Sequence, residues 1–292
     1  MPSFESSVRR INNQMIEQDA ECQRLVSEMR TVEKFLNDFG FLSFGRDFVI
    51  CGRRTFSLQT VSTACELTAG SIVACCESGC MADAFSLLRK YRDDLFFYLY
   101  IMTCDACNKL EHGSPAVTQM ENNIERWVNN GLADLSIGTV LQAIGQSPRV
   151  KDAVQKYELR TYYDSLGVRL NNYVHSNGIS FYNRNVNAYQ ENGLQLQMEA
   201  LLKDMRFITI TFLFLLTLIS PLSIMSTDYV DYLDCNETPP EGSQYWVAPF
   251  IVRFFQENSD LISENCLNYL RENTPMVLTN EFNYRINLSK CR

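Results

Sequence analysis

Residues 207–227 read FITITFLFLLTLISPLSIMST, and none of these twenty-one positions between Arg206 and Asp228 carries a charge. About 20 apolar residues are enough for a helix to cross the hydrocarbon core of a bilayer. Three internal threonines, Thr209, Thr211 and Thr217, and Pro221 interrupt the stretch, but membrane helices tolerate both residue types. The stretch therefore predicts a transmembrane helix, and the alternative is a helix buried in a large soluble core.

The residues on either side of this stretch predict its orientation. The twenty residues before it contain Lys203 and Arg206, whereas the twenty after it contain no Lys or Arg. By the positive-inside rule, the part before the span is cytoplasmic and the part after it lies outside. The predicted divisions are a long amphipathic, coiled-coil-like helix (1–40), a cytoplasmic helical bundle (41–206), the transmembrane helix (207–227) and a small extracytoplasmic helical domain (228–292).

The charge balance limits the choice of partners. The chain has 34 acidic and 26 basic residues, and the basic residues form no tail or stripe. Tight non-specific binding to nucleic acid is therefore not indicated, and no DNA partner is expected. Contact with an RNA substrate in a cleft is compatible with this composition.

Eleven cysteines raise the question of a metal site. Cys104 and Cys107 have the CxxC spacing of a zinc half-site or a redox pair, but no second CxxC accompanies them. A cysteine is also an ordinary small core residue. We therefore predict neither a metal nor a cofactor.

Hydrophobic periodicity predicts an all-α fold. In the first forty residues, apolar side chains alternate in steps of three and four, with Gln18 as a polar interruption, over about four heptads. Such a helix either packs on its own domain or pairs with a second copy. A loop or short hairpin is predicted between residues 36 and 59, and helices follow along the rest of the chain. The apolar positions of the first helix are Val8, Ile11, Met15, Cys22, Leu25, Met29, Val32 and Leu36.

The most informative polar cluster closes a predicted helix at residues 169–175, RLNNYVH. A step from i to i+4 places Asn171 and His175 on one helical face. Arg169 lies more than one turn earlier and has a long, forked side chain. The other histidine, His112, lies in a polar turn and is read as solvated.

This cluster resembles the motif of the HEPN superfamily, an Arg and a His separated by a few residues at the end of a helix. LNNYVHSNG, residues 170–178, is similar to the "YVH" ending of bacterial HEPN-like proteins, and LLRKYRDD, residues 87–94, is similar to one of their earlier helices. The resemblance covers residues 57–206. One position departs from the motif, since the residue directly after the Arg is usually polar and here is Leu170.

The resemblance implies a homodimer that cuts RNA without a metal, in bacterial antiphage defence or as a toxin, and the predicted transmembrane helix would anchor it to the membrane. HEPN nucleases are all-α dimers whose Arg/His motifs meet at the dimer interface. By resemblance, His175 assists proton transfer, Arg169 braces the scissile phosphate and Asn171 orients the ring or the phosphate. Arg89 and Asp93 then form the supporting charged pair.

A non-catalytic signalling or scaffold module is the alternative. A histidine at the end of a helix commonly caps the last carbonyl groups. Arg89 and Asp93, at i and i+4, also form an ordinary ion pair on a helix. Both functions fit the sequence.

Overall fold

The computed structural model describes residues 7–43, 48–51, 54–110, 113–129, 131, 136–186 and 193–278. Within these ranges the chain forms thirteen α-helices and one two-stranded antiparallel hairpin. The predicted all-α class is therefore confirmed. The predicted turn at His112, residues 1–6 of the predicted first helix and residues 279–292 of the predicted outer domain lie outside the described residues.

In chain order, the first eleven elements are α1 (Ser7–Gln18), α2 (Ala20–Ser43), β1 (Phe48–Cys51), β2 (Arg54–Ser57), α3 (Gln59–Glu77), α4 (Met81–Asn108), α5 (Pro115–Val128), α6 (Ile137–Gln146), α7 (Lys151–Lys156), α8 (Leu159–Val174) and α9 (Ile179–Val186). They are followed by α10 (Gly193–Ile219), α11 (Asp228–Asp234), α12 (Pro249–Asn258) and α13 (Cys266–Asn273).

The predicted first helix is two helices that meet at Asp19. The Asp19 carboxylate accepts hydrogen bonds from the backbone N–H groups of Glu21 and Cys22 at 2.9 and 3.1 Å, which caps the start of α2. The apolar seam of α2 is buried against α3 and α10 of the same chain. Of the two interpretations of this seam, the contacts in the structure are those of packing on its own domain.

Four long helices form a closed bundle, in which α2 packs on α3 and α10, and α4 packs on the same two helices. Phe39 of α2, Tyr98 of α4 and Phe212 of α10 meet edge to face, with ring centroids 5.5 to 6.2 Å apart. Inside the bundle, the hydroxyl groups of Tyr91 and Thr209 share a hydrogen bond of 2.6 Å. Aromatic packing and the hydrogen bond between Tyr91 and Thr209 therefore hold α10 in the protein core.

The predicted transmembrane helix is wrong. Within residues 207–227, α10 ends at Ile219 and a 3₁₀ turn follows at Pro221–Ile224. The helical part, residues 207–219, is about 20 Å long, against the roughly 30 Å of a bilayer core. Nowhere in the described chain does a helix reach the length and apolar character that a membrane span requires. The predicted single-pass localisation and its orientation are therefore also wrong.

Protein, not lipid, surrounds this part of α10. Every side chain of residues 207–219 is buried. On the side away from the bundle centre, the ring of Tyr162 covers that of Phe207, with centroids 3.6 Å apart. The rings of Tyr157 and Tyr269 pack on Phe214, with centroid distances of 5.5 and 6.1 Å. A helix that is apolar on all sides can be a core helix of a large domain.

The segment after α10 joins the same core. Helix α12 packs on α2 and α10, and α13 packs on α10. Phe254 stacks on Phe35 of α2 with centroids 4.1 Å apart, and Phe250 lies 5.6 Å from the same ring. The helices of this segment thus pack on the bundle directly.

Helices α5, α6, α8 and α9 and strand β1 all pack on α4. Two ring pairs attach α8, since Phe85 stacks on Tyr173 at 4.5 Å and Phe96 packs on Tyr163 at 4.3 Å. The helix with the Arg/His cluster is therefore attached to the outer side of the bundle.

Candidate functional site

The exposed and buried sides of α8 are clearly separated. Tyr163, Leu166, Leu170 and Tyr173 are buried. The opposite side is exposed and repeats at steps of four, three and four residues. It consists of Asp164, Val168, Asn171 and His175.

Arg169 points to α10. Its Nη2 atom lies 2.6 Å from Oδ2 of Asp204, whose side chain is 3 % exposed whereas that of Arg169 is 44 % exposed. The hydroxyl group of Tyr162 donates to Oδ1 of Asp204 at 3.3 Å. Burial raises the pKa of Asp204 above its ordinary 3.8, and Arg169 opposes part of that rise. Arg169 thus neutralises a buried carboxylate.

Asn171 and His175 lie on the outer side of the same helix. The backbone N–H of His175 donates to the carbonyl of Asn171 at 3.0 Å, and His175 ends the helix. Asn171 is about 200° around the helix from Arg169. In the described chain, no hydrogen bond joins the His175 ring to Arg169 or Asn171. The structure therefore brings Asn171 and His175 to one surface and directs Arg169 to another.

The predicted pair of Arg89 and Asp93 is present on α4, with Nε and Oδ2 3.7 Å apart. Asp93 also accepts from Nε and Nη2 of Arg92 at 2.8 and 2.6 Å. Burial raises the pKa of Asp93, and the two guanidinium groups oppose that rise. Arg92 itself is 2 % exposed, whereas the Arg89 and Asp93 side chains are 29 % and 34 % exposed, so this cluster extends from the interior to the surface.

The guanidinium group of Arg92 lies against α8 at Gly167. A Cβ atom at Gly167 would lie 3.1 Å from Nη1 of Arg92. Glycine at this position allows α8 to cover the arginine. Arg92 and Asp204 are thus two interior charges beside α8, one on α4 and one on α10.

Sequence reasoning did not select Arg92 or Asp204 as site residues. A signal for both was present, because each lies in a short charged run, RKYRDD (89–94) or KDMR (203–206), of an otherwise apolar helix. Interior charges of this kind are nearly always paired or hydrogen-bonded.

The two cysteines of the CxxC pair are buried at the end of α4. The Cys107 thiol lies 3.8 Å from the Ser147 hydroxyl, beside a cavity of about 230 Å³ between α4, α5 and α6. Among the residues that the structure describes, no group of three or more His, Cys, Asp or Glu side chains could hold a metal ion. Amide side chains, such as those of Asn123 and Gln142, and apolar side chains line this cavity.

Comparisons of the chain with protein-family models, with curated proteins and with solved structures found no match. The HEPN resemblance therefore stays a prediction.

Proposed function

We propose that the protein is a non-catalytic helical assembly module that pairs with a second copy through the outer side of α8 and α9. The contact between Arg169 and Asp204 is the observation that carries the proposal. Withdrawing the guanidinium group to bind a phosphate would leave the buried carboxylate without its counter-charge, which is strongly unfavourable. Arg169 then serves to attach α8 to α10.

The surface proposed for pairing is the α8–α9 face, defined as Val168, Asn171, His175, Ile179 and Tyr182. Val168, Ile179 and Tyr182 are 68 %, 75 % and 61 % exposed. Both helices pack on α4 with their inner sides, so these exposed residues point away from α4. Large apolar side chains beside a few polar ones are typical of the centre of a protein interface.

A second copy is the occupant that the charge of this face favours. Two-fold pairing places one surface patch against the same patch of the partner. The α8–α9 face contains no carboxylate or guanidinium group, and the neighbouring Asp164 is paired with Arg160 at 3.8 Å. Self-pairing therefore brings no like charges together.

The test is the molar mass in solution, measured by light scattering during gel filtration. The wild type should be a dimer at about 50 µM, as expected for an interface with a micromolar Kd. Ile179→Glu should be a monomer, since it places two carboxylates in the interface. Leu67→Glu is the matched control. Leu67 is 65 % exposed on α3 and lies outside the α8–α9 face, so this variant should stay dimeric. A monomeric wild type, or a dimeric Ile179→Glu, would contradict the proposal.

A metal-independent ribonuclease is the second candidate. It is favoured by the exposure of Asn171 and His175 on one side of α8, where an RNA strand can reach both. The test is cleavage of labelled RNA in the presence of a chelator. Cleavage by the wild type that His175→Ala abolishes, with an unchanged circular dichroism spectrum, would replace the assembly module by the nuclease. The assembly module predicts no cleavage by either protein.

A further inference from the structure

Two cysteines lie at the corner between α3 and α4. The N–H of Gly79 donates to the carbonyl of Cys76 at 3.0 Å, and the N–H of Cys80 donates to the carbonyl of Cys75 at 2.8 Å. Gly79 has φ +67°, which glycine adopts without strain. This pattern is a Schellman motif, in which the side chains corresponding to Cys75 and Cys80 commonly contact each other.

The hydrogen bond from the N–H of Cys80 to the carbonyl of Cys75 limits the distance between these two residues. From standard bond lengths, the fixed Cα–C=O bond angle and the 2.8 Å contact between the Cys80 nitrogen and the Cys75 oxygen, their Cα atoms lie at most about 6.7 Å apart. Disulfides join Cα atoms that are roughly 4.4 to 6.8 Å apart. The backbone therefore holds the pair within the range of a disulfide.

The surroundings of the pair differ from those of its neighbours. Cys75 and Cys80 are partly exposed, whereas Cys65 and Cys76 are buried and burial raises the pKa of each of these two thiols. Cys80 directly precedes the first turn of α4, and its thiol lies 3.7 Å from the carbonyl oxygen of Ser78. An oxidant thus reaches Cys75 and Cys80 before Cys65 and Cys76.

We infer that Cys75 and Cys80 are a redox pair that closes to a disulfide when the protein meets hydrogen peroxide. The Cys80 thiolate attacks one peroxide oxygen, forms a sulfenic acid and releases hydroxide, which takes up the thiol proton to become water. The Cys75 thiol then attacks the Cys80 sulfur, forms the S–S bond and displaces the second water. Each thiol gives one electron, and the peroxide accepts both. A dithiol reductant restores the two thiols by thiol–disulfide exchange.

The corner is also where α1 and α9 meet the bundle. Asn185 of α9 accepts a hydrogen bond from the N–H of Ala82 at 2.8 Å, and Asn12 of α1 donates to the Asn185 carbonyl at 3.4 Å. A disulfide at this corner therefore constrains the place where both helices attach. The inference does not depend on the proposed function.

The sequence offers a direct assay, because Glu77 lies between the two cysteines. The full-length protein is treated with hydrogen peroxide, its remaining thiols are alkylated, and a glutamate-specific protease cleaves the chain after Glu77. A disulfide between Cys75 and Cys80 keeps the two peptides joined after cleavage. If both cysteines remain thiols, the two peptides separate. Mass spectrometry should find the joined peptide in the wild type.

Three variants distinguish this pair from its neighbours. Cys75→Ser and Cys80→Ser should reduce the joined peptide at least about tenfold, whereas Cys76→Ala should retain it. Circular dichroism confirms that each variant folds. A joined peptide that persists in Cys75→Ser would assign the bond to another thiol and overturn the inference. So would a wild type that forms no joined peptide while its other thiols oxidise.

Discussion

Arg169 on α8 and Asp204 on α10 form an ion pair that is buried on one side only. The carboxylate is nearly inaccessible to water, whereas almost half of the arginine side chain is exposed. Removing the arginine leaves a charge in the interior, but removing the carboxylate leaves a charge that water can solvate. The two partners therefore contribute unequally to stability.

Arg169→Ala should lower the free energy of unfolding at neutral pH by about 1 to 3 kcal/mol, because Asp204 loses its counter-charge. Asp204→Asn should cost less than about 1 kcal/mol, because the exposed guanidinium group remains hydrated. Urea unfolding followed by circular dichroism measures both values.

The control for this pair is on the same helix. Arg160 and Asp164 are both exposed and lie 3.8 Å apart. Arg160→Ala should change stability by no more than about 0.5 kcal/mol. Equal losses in Arg169→Ala and Asp204→Asn would show that the burial of the first pair is not one-sided.

Stability should also depend on pH through Asp204. Because burial raises its folded-state pKa above the ordinary 3.8, the folded protein binds more protons than the unfolded chain just above that pH. The free energy of unfolding then falls as pH rises through this window and levels off above the folded-state pKa. Asp204→Asn should lose less stability across the window than the wild type, and Arg169→Ala should extend the fall to higher pH. Urea titrations between about pH 4 and pH 7 test this, and a pH-independent difference between wild type and Asp204→Asn would contradict it.

Gly167→Ala should destabilise the protein. Its new Cβ atom would lie 3.1 Å from Nη1 of the buried Arg92, which has little room to move. Gly145→Ala is the matched control on α6, because its Cβ atom would lie at an ordinary 3.6 Å from Val154. Relative to that control, Gly167→Ala should lose about 1 to 2 kcal/mol. If thermal unfolding gives equal values for the two variants, α8 does not pack closely on Arg92.

Gly79→Ala should be costly for two reasons, its φ of +67° and a Cβ atom 2.7 Å from the buried Asn12. Gly242 has a similar φ of +77° with no atom near its Cβ position. Gly242→Ala should therefore lower the free energy of unfolding by about 1 to 2 kcal/mol, which is the strain of a left-handed conformation at alanine. Gly79→Ala should exceed it by about 1 kcal/mol or more. A smaller loss in Gly79→Ala than in Gly242→Ala, by urea unfolding, would mean that Asn12 does not pack on this turn.

Phe254→Ala should lower the free energy of unfolding by about 3 to 5 kcal/mol, since it opens a gap beside Phe35 in the core. Phe41→Ala on the same bundle is the control, because Phe41 is exposed and should cost no more than about 0.5 kcal/mol. Both variants should unfold in one transition. An early, separate transition of the segment after α10 would contradict its packing on α2.

Local features of the fold were predictable because short-range spacing sets them. The apolar seam of α2 follows from steps of three and four, and the ion pair of Arg89 and Asp93 follows from an i to i+4 step. The break at Asp19 was not predicted, because the apolar pattern continues through it and only the cap reveals it.

The candidate site was predictable only as a set of residue types. The spacing of RLNNYVH places Asn171 and His175 on one face, and the structure has them there. The partner of Arg169 is 35 positions further along the chain, so no local pattern indicates it. Which groups a long arginine side chain meets depends on how α8 and α10 are placed.

The sequence by itself predicted a helix over residues 207–227 that is removed from water on every side, and the structure keeps this helix for residues 207–219. Hydropathy measures transfer out of water, and protein interior and lipid score alike on that scale. Only the tertiary structure decided between them, because α2 and α4 cover one side and Tyr157, Tyr162 and Tyr269 cover the other. The physical reason is that the surfaces which bury this helix come from distant parts of the chain, and these meet only after folding.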